Sequence, residues 1–226
     1  MVHVTVALRR TEGRDPPYDH NFLLGSAFYA LLRNHSAEAS SILHDSPSRS
    51  AYVLSEIHRV TGKTKEAWFR LGTSSEAVTK LAGKALSPGT DLTIGATRFQ
   101  ITGFSMEEPL VRPGEYVTLS PILLRDKKTD RCIVHDSPGY VETLQMAANL
   151  QVKNHLKREG TIQIHHFEPQ AVRKRTIEKR TVLAQKGRFL AEGSEEDLSL
   201  IVNHGIGSSP ALGFGMIVPS EGRRSD

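Results

Sequence analysis

Val2, Val4, Val6 and Leu8 alternate with polar or small residues. That period of two predicts a strand with one buried face. After a turn-rich stretch at 11–17 the period lengthens. Phe22, Leu23, Phe28, Leu31 and Leu32 recur at the spacing of one helix face over 18–33. A short second helix is expected over 37–43, and His44-Asp45-Ser46-Pro47-Ser48 ends it. Residues 51–60 and 65–71 predict a strand pair around Gly62, and 74–85 a helix with Glu76 in its first turn. Short strands follow at 92–94 and 98–104. The order strand, helix, strand, strand, helix, strand is that of a ferredoxin-like unit.

The second half repeats this order. Strands are expected at 116–119, 161–167, 179–190 and 214–218, with helices at 140–158 and 195–202. Residues 131–135 read as a further strand. Pro109, Pro113 and Gly114 mark a linker between the halves. The expected architecture is α+β, two tandem ferredoxin-like (βαββαβ) domains over 1–107 and 114–226.

Composition narrows the function classes. No apolar run approaches the ~18 residues of a membrane-spanning helix. The N-terminal residues lack the pattern of a secretory signal, and Cys132 is the one cysteine of the chain. A cytoplasmic setting without disulfides or a cysteine-based zinc site is therefore expected. No His-x-x-x-His or His-Glu-x-x-His spacing occurs, so neither a metal nor another cofactor is expected. Ser208-Ser209 lacks the Gly-x-Ser-x-Gly elbow of a serine hydrolase.

Charge is unevenly placed. Residues 173–188 hold Arg173, Lys174, Arg175, Lys179, Arg180, Lys186 and Arg188 against Glu178 alone. That local +6 sits in a chain whose total is +4, so the remainder carries −2. A basic strand pair suits a phosphate backbone. The alternative is a hairpin edge kept from aggregation by its charge.

The segment from Gly205-Ile206-Gly207 to Gly213-Phe214-Gly215 follows a helix and precedes a strand. It is neither a Walker loop nor a dinucleotide fingerprint, both of which run from strand to helix. Its glycines can bring backbone N–H groups close to a phosphate, or simply let a tight loop pack on protein. Trp68 and Phe69 lie in a predicted strand, where core use outweighs base stacking. His165-His166, in another, should point to opposite faces.

Gly-Ile-Gly, five residues, then Gly-Phe-Gly-Met-Ile resembles the glycine-rich loop of the CRISPR-associated repeat-processing endoribonucleases, members of the RAMP superfamily. Leu43-His44-Asp45 after a helix carrying Phe28-Tyr29, then Tyr52-Val53-Leu54-Ser55, is similar to their N-terminal half. Ser120-Pro121-Ile122-Leu123-Leu124-Arg125 resembles their mid-chain strand end and implies a loop over 126–135. The resemblance implies two tandem ferredoxin-like domains and metal-independent cleavage of precursor CRISPR RNA by the ribose 2′-hydroxyl. It implies His44 as the catalytic histidine and Tyr29 as its partner; His35, on the same helical region, is the rival or second histidine. Some members place a lysine after the histidine. Here Arg49, Ser48 or Ser50 would take that place, with Arg33 a further cation. Arg173, Lys174, Arg175, Lys179 and Arg180 would hold repeat RNA together with Gly205, Gly207, Gly213 and Gly215. Two other readings stay open: a non-catalytic repeat-RNA-binding subunit, and a subunit contacting mainly protein in a CRISPR effector complex. A second copy of the chain is a further candidate partner; a membrane is not.

Overall fold

The computed structural model describes residues 1–36, 43, 51–60, 65–126, 128–177 and 180–220. The first sheet contains β1 (Val2–Glu12), β2 (Val53–Leu54), β3 (His58–Arg59), β4 (Glu66–Thr73), β5 (Asp91–Ile94) and β6 (Thr97–Glu107). Its order is β2-β4-β1-β6-β5, with β3 also on β4 and every pairing antiparallel. Helices α1 (Asn21–His35) and α2 (Glu76–Ala85) cover one face. The alternation seen in the sequence sets that face. Val4, Val6 and Leu8 of β1 join Phe69 and Leu71 of β4 in a core closed by Leu24, Phe28 and Leu32 of α1.

The second sheet has the order β10-β11-β7-β12, from β7 (Gly114–Thr118), β10 (Gln163–Ile177), β11 (Arg180–Glu192) and β12 (Ile217–Pro219). Helices α3 (Tyr140–Leu156) and α4 (Glu195–His204) pack on it around Tyr116, Leu144, Phe189 and Ile201. Leaving β3 and β5 aside, both sheets run second-third-first-fourth strand, the ferredoxin-like order. Tandem units of this fold therefore make up the chain. Residues 131–135 form only β9 (Cys132–Ile133), paired with β8 (Leu124–Arg125) in a small hairpin rather than a full strand.

Three departures from the expected elements matter for the site. Residues 51–60 do not make one strand, because the chain bulges between β2 and β3. There the Ser55 hydroxyl donates to the Glu56 carbonyl and accepts the Arg70 N–H, at 2.6 and 2.8 Å. A bulge redirects the side chains at the break, and here it frees Glu56 from the ladder. The β10–β11 hairpin is longer than expected, reaching from Gln163 to Glu192. A register shift between Ile164 and His166 leaves both His165 and His166 exposed, not on opposite faces.

Helix α4 joins the two units. Every residue from Asp197 to His204 is buried. One side lies in the second core. The other meets the first unit, where His3 Nε2 donates to the Val202 carbonyl at 3.2 Å and Ser74 Oγ lies 2.6 Å from His204 Nε2. His204 thus serves packing between the units, with its ring 4.2 Å from that of His155. No helix is long and apolar enough to cross a membrane among the described residues.

Candidate nucleic-acid interface

Helix α1 carries the candidate chemistry, and its sequence determines how it docks. Asn21, Gly25 and Tyr29 follow at intervals of four, so they share one stripe. Asn21 Nδ2 donates to the Gly213 carbonyl at 2.5 Å. At Gly25 a Cβ would stand 2.8 Å from the Ala211 carbonyl oxygen, so only glycine lets the helix come this close to the turn at Pro210–Leu212. Tyr29 is one turn further along, half-buried against the first core and beside Tyr52. The stripe that ends in Tyr29 is therefore seated on the glycine-rich loop.

The loop packs on protein. The Ile206 N–H donates to the Gly215 carbonyl, the Gly215 N–H to Pro121 and the Ser208 N–H to Leu123. Gly215 has φ +73°, and a Cβ there would lie 2.0 Å from the Ile206 carbonyl oxygen. Gly205 and Gly213 are buried as well, and Gly207 abuts the Leu123 carbonyl. These glycines are needed for close packing. The partly exposed Gly207-Ser208-Ser209 edge is what faces outward.

His35 ends α1 with an exposed ring. Its Nδ1 lies 2.9 Å from the Leu31 carbonyl, which can only accept, so Nδ1 donates and Nε2 is the free nitrogen. Six residues separate it from Tyr29, which puts the two about 120° apart around the helix. The fold does not bring them to one face; Arg33, four residues on from Tyr29, shares its face. His44, Arg49, Ser48 and Ser50 lie outside the described residues, as does Lys179. Leu43, the residue before His44, is buried in the first core.

The basic hairpin is not uniformly available. Arg175 is 2% exposed. Its Nε donates to Asn21 Oδ1 at 2.8 Å, and its Nη2 pairs with Glu56. Lys186 Nζ reaches the other Glu56 oxygen at 2.8 Å. Arg180 lies 3.3 Å from Asp130, and Arg188 contacts Glu168 and Glu115. The expectation that Arg175 offers its charge to RNA is corrected here, because a guanidinium taken up by a buried carboxylate belongs to the interior. Arg173 and Lys174 have no carboxylate partner among the described residues.

Known proteins share this fold. The family model "CRISPR associated protein Cas6, C-terminal" matches residues 107–219, half of the chain. The chain belongs to the Cas6 family. No curated protein matches it. A solved CRISPR-associated Cas6 protein superposes with a TM-score of 0.78 at 16% identity, covering 97% of this chain and 99% of that one. A Cas6-related protein from Pyrococcus furiosus gives 0.77 at 16%, with the same coverage. A RAMP protein described as binding different RNA substrates gives 0.76 at 18%, covering 96% and 99%. These likenesses extend the Cas6 fold over both units.

Within this Cas6 fold, electrostatics set the state of the buried groups. Burial pushes the Glu56 carboxyl up, but Lys186 and Arg175 outweigh it and hold the group below the usual carboxylate range. His20 Nε2 accepts the Ile57 N–H at 2.9 Å, so its Nδ1 carries the proton and donates to the Pro17 carbonyl. Burial lowers that ring's affinity for a second proton. Burial lowers His3 to about 4; it does the same for His58, helped by Lys186. His58 stacks on Trp68 at 4.2 Å, on the face opposite the helices, whereas Phe69 is in the core.

Two outcomes follow. In the unfolded chain these histidines titrate near ~6.5. Between that value and about 4 the unfolded state binds the extra protons. Their stabilisation is complete above pH ~6.5 and declines by up to ~1.4 kcal/mol per group per pH unit below it. Thermal unfolding should show Tm falling from pH 7 to pH 5, and less steeply in His3→Gln; a flat profile contradicts the assignment. For the hairpin, Arg173→Ala with Lys174→Ala should reduce the slope of log affinity for RNA against log salt by about 0.7 for each phosphate no longer neutralised. Tm should hardly change. Arg175→Ala should instead lower Tm.

Proposed function

We infer that the chain is a metal-independent endoribonuclease that cuts precursor CRISPR RNA within its repeats to make mature guide RNAs. The observation that carries this reading is the seating of the Tyr29 stripe on the glycine-rich loop through Asn21 and Gly25. It joins a candidate catalytic helix of residues 1–107 to the RNA-holding hairpin and loop of residues 114–226. Family membership supports the same reading.

The reaction is attack of a ribose 2′-hydroxyl on the adjacent phosphorus. A P–O2′ bond forms and the P–O5′ bond breaks, leaving a 2′,3′-cyclic phosphate and a 5′-hydroxyl. A base must take the 2′ proton, an acid must protonate the leaving 5′ oxygen, and a cation or donor must stabilise the added charge on the phosphoryl oxygens. His44 serves as base or acid, because an imidazole titrates near working pH. Tyr29 is the proton donor or phosphate ligand. Arg49, always protonated, is the charge-stabilising group. His35 is the reserve histidine. The protein works in the cytoplasm, and its product passes to CRISPR effector subunits.

Labelled repeat RNA incubated with the protein in EDTA tests this reading. Cleavage at one position per repeat, with a cyclic phosphate end, is the expected result. Tight binding without cleavage would favour a non-catalytic RNA-binding subunit. Neither binding nor cleavage would favour a protein-contacting role.

A further inference from the structure

Tyr18 is the feature that packing does not explain. It stands in the loop before α1 and is 60% exposed, although it is one of the largest apolar side chains. Its ring is held in place. The Arg175 guanidinium lies 4.3 Å from the ring centroid and that of Arg173 5.3 Å. Arg175 cannot follow an incoming ligand, because Glu56 and Asn21 hold it. The exposed aromatic surface is thus fixed from beneath by a buried guanidinium.

The ring borders a cleft between the first unit and the β10–β11 hairpin, lined by Arg10, Arg59, Lys65, Glu66 and Arg173 among others. Arg10 and Arg59 share the single carboxylate of Asp15. Lys65 and Arg173 have no carboxylate partner among the described residues. The cleft therefore offers an aromatic face and an excess of cations, with Arg10, Arg59, Lys65, Arg173 and Arg175 against Asp15, Glu56 and Glu66. An acidic peptide would use the cations and leave the ring idle. A nucleotide uses both, with its base on the ring and its phosphate on the cations.

We propose that this cleft is a subsite for one unpaired nucleotide of a bound RNA, whose base stacks on Tyr18 and whose phosphate meets Arg173 and Lys65. The proposal rests on the RNA-processing reading above and adds a point of recognition to it. The subsite lies off the N-terminal end of α1. Tyr29 lies toward the other end of that helix, so RNA held here is gripped away from that candidate catalytic group. Through Arg175 and Asn21 the subsite is linked to the Gly213 carbonyl of the loop.

The test is a gel-shift titration of fluorescein-labelled repeat RNA carrying single abasic nucleotides scanned along its length, with a denaturing gel run in parallel to record cleavage. Against unmodified RNA, Tyr18→Ala should weaken binding by roughly 5- to 150-fold, the range of one base–aromatic stack. Tyr18→Phe should bind like the native protein, since the ring and not the hydroxyl does the stacking. One abasic position should weaken native binding by a similar factor and have no further effect on Tyr18→Ala. A merely structural role for Tyr18 would not single out one nucleotide. Native binding with no such coupled position overturns the subsite while leaving the endoribonuclease reading intact. Displacement of RNA by poly-glutamate that Tyr18→Ala abolishes, without a coupled position, would also overturn it in favour of an acidic peptide. Absence of both binding and cleavage by the native protein would count against the parent reading itself.

Discussion

Replacing His44 by Ala should slow repeat cleavage by about 10²-fold or more while leaving RNA affinity nearly unchanged. The expectation rests on the division of labour that the proposed function assigns. Binding draws on the hairpin and the interface between the units, which involve many groups. Proton transfer, in the proposed mechanism, draws on the one imidazole of His44. Leu43 is buried in the first core, so the chain is anchored at the residue before the catalytic candidate. Single-turnover rates with saturating enzyme separate the two effects. His35→Ala is the control. Its ring is bonded back to the Leu31 carbonyl and stands on a different side of α1 from Tyr29, so its loss should cost little. If His35→Ala abolished cleavage and His44→Ala did not, the roles would be exchanged.

Glu56→Ala should destabilise the protein by about 3–5 kcal/mol, the usual cost of removing one partner from a buried ion pair. In a chain of this size that lowers Tm by on the order of 10 °C. The carboxylate pairs with both Arg175 and Lys186, and Arg175 has no route to water at 2% exposure. Lys186 is better placed to recover hydration. Glu56→Gln should fall between the native protein and Glu56→Ala, since it keeps an acceptor oxygen but loses the charge. A second substitution, Arg175→Met, made with Glu56→Leu should recover much of the loss, because an apolar pair replaces two desolvated charges. The sign of the pH effect agrees. Glu56 is held ionised below the usual carboxylate range, so its contribution is present above pH ~4.5 and is lost as pH falls through the lowered value. Equal melting of Glu56→Ala and native protein would show that this ion pair does not hold the hairpin to the first unit.

These two residues differ in how far the sequence announces them. His44 is legible as a motif next to a helical region. Glu56 is not, because its role depends on a bulge at Ser55 and on partners 119 and 130 residues away. The period-two stretches reveal β1, β4 and the basic hairpin because each has one buried face. The same rule fails at His165-His166, where a register shift breaks the alternation. Local charge counting overstates the hairpin's free charge for a related reason. Counting along the chain sees Glu178, but the carboxylates that pair with Arg175, Lys186 and Arg180 come from Glu56 and Asp130. The glycine segment is recognisable by spacing, yet its glycines answer to Ile206, Leu123 and Asn21. The hydrophobic pattern puts Tyr18 at the start of a helix. Pro16-Pro17 and the His20 side chain, which takes the Ile57 N–H, delay α1 to Asn21 and leave the ring in the loop.

The central claim is that this chain cuts repeat RNA with the RNA's own 2′-hydroxyl. The most direct test replaces the ribose on the 5′ side of the mapped cut with 2′-deoxyribose and measures cleavage and binding together in EDTA. The account predicts that binding is kept and cleavage at that bond is lost, with unmodified repeat cut in the same assay. Continued cleavage of the deoxy bond at the normal rate would contradict it.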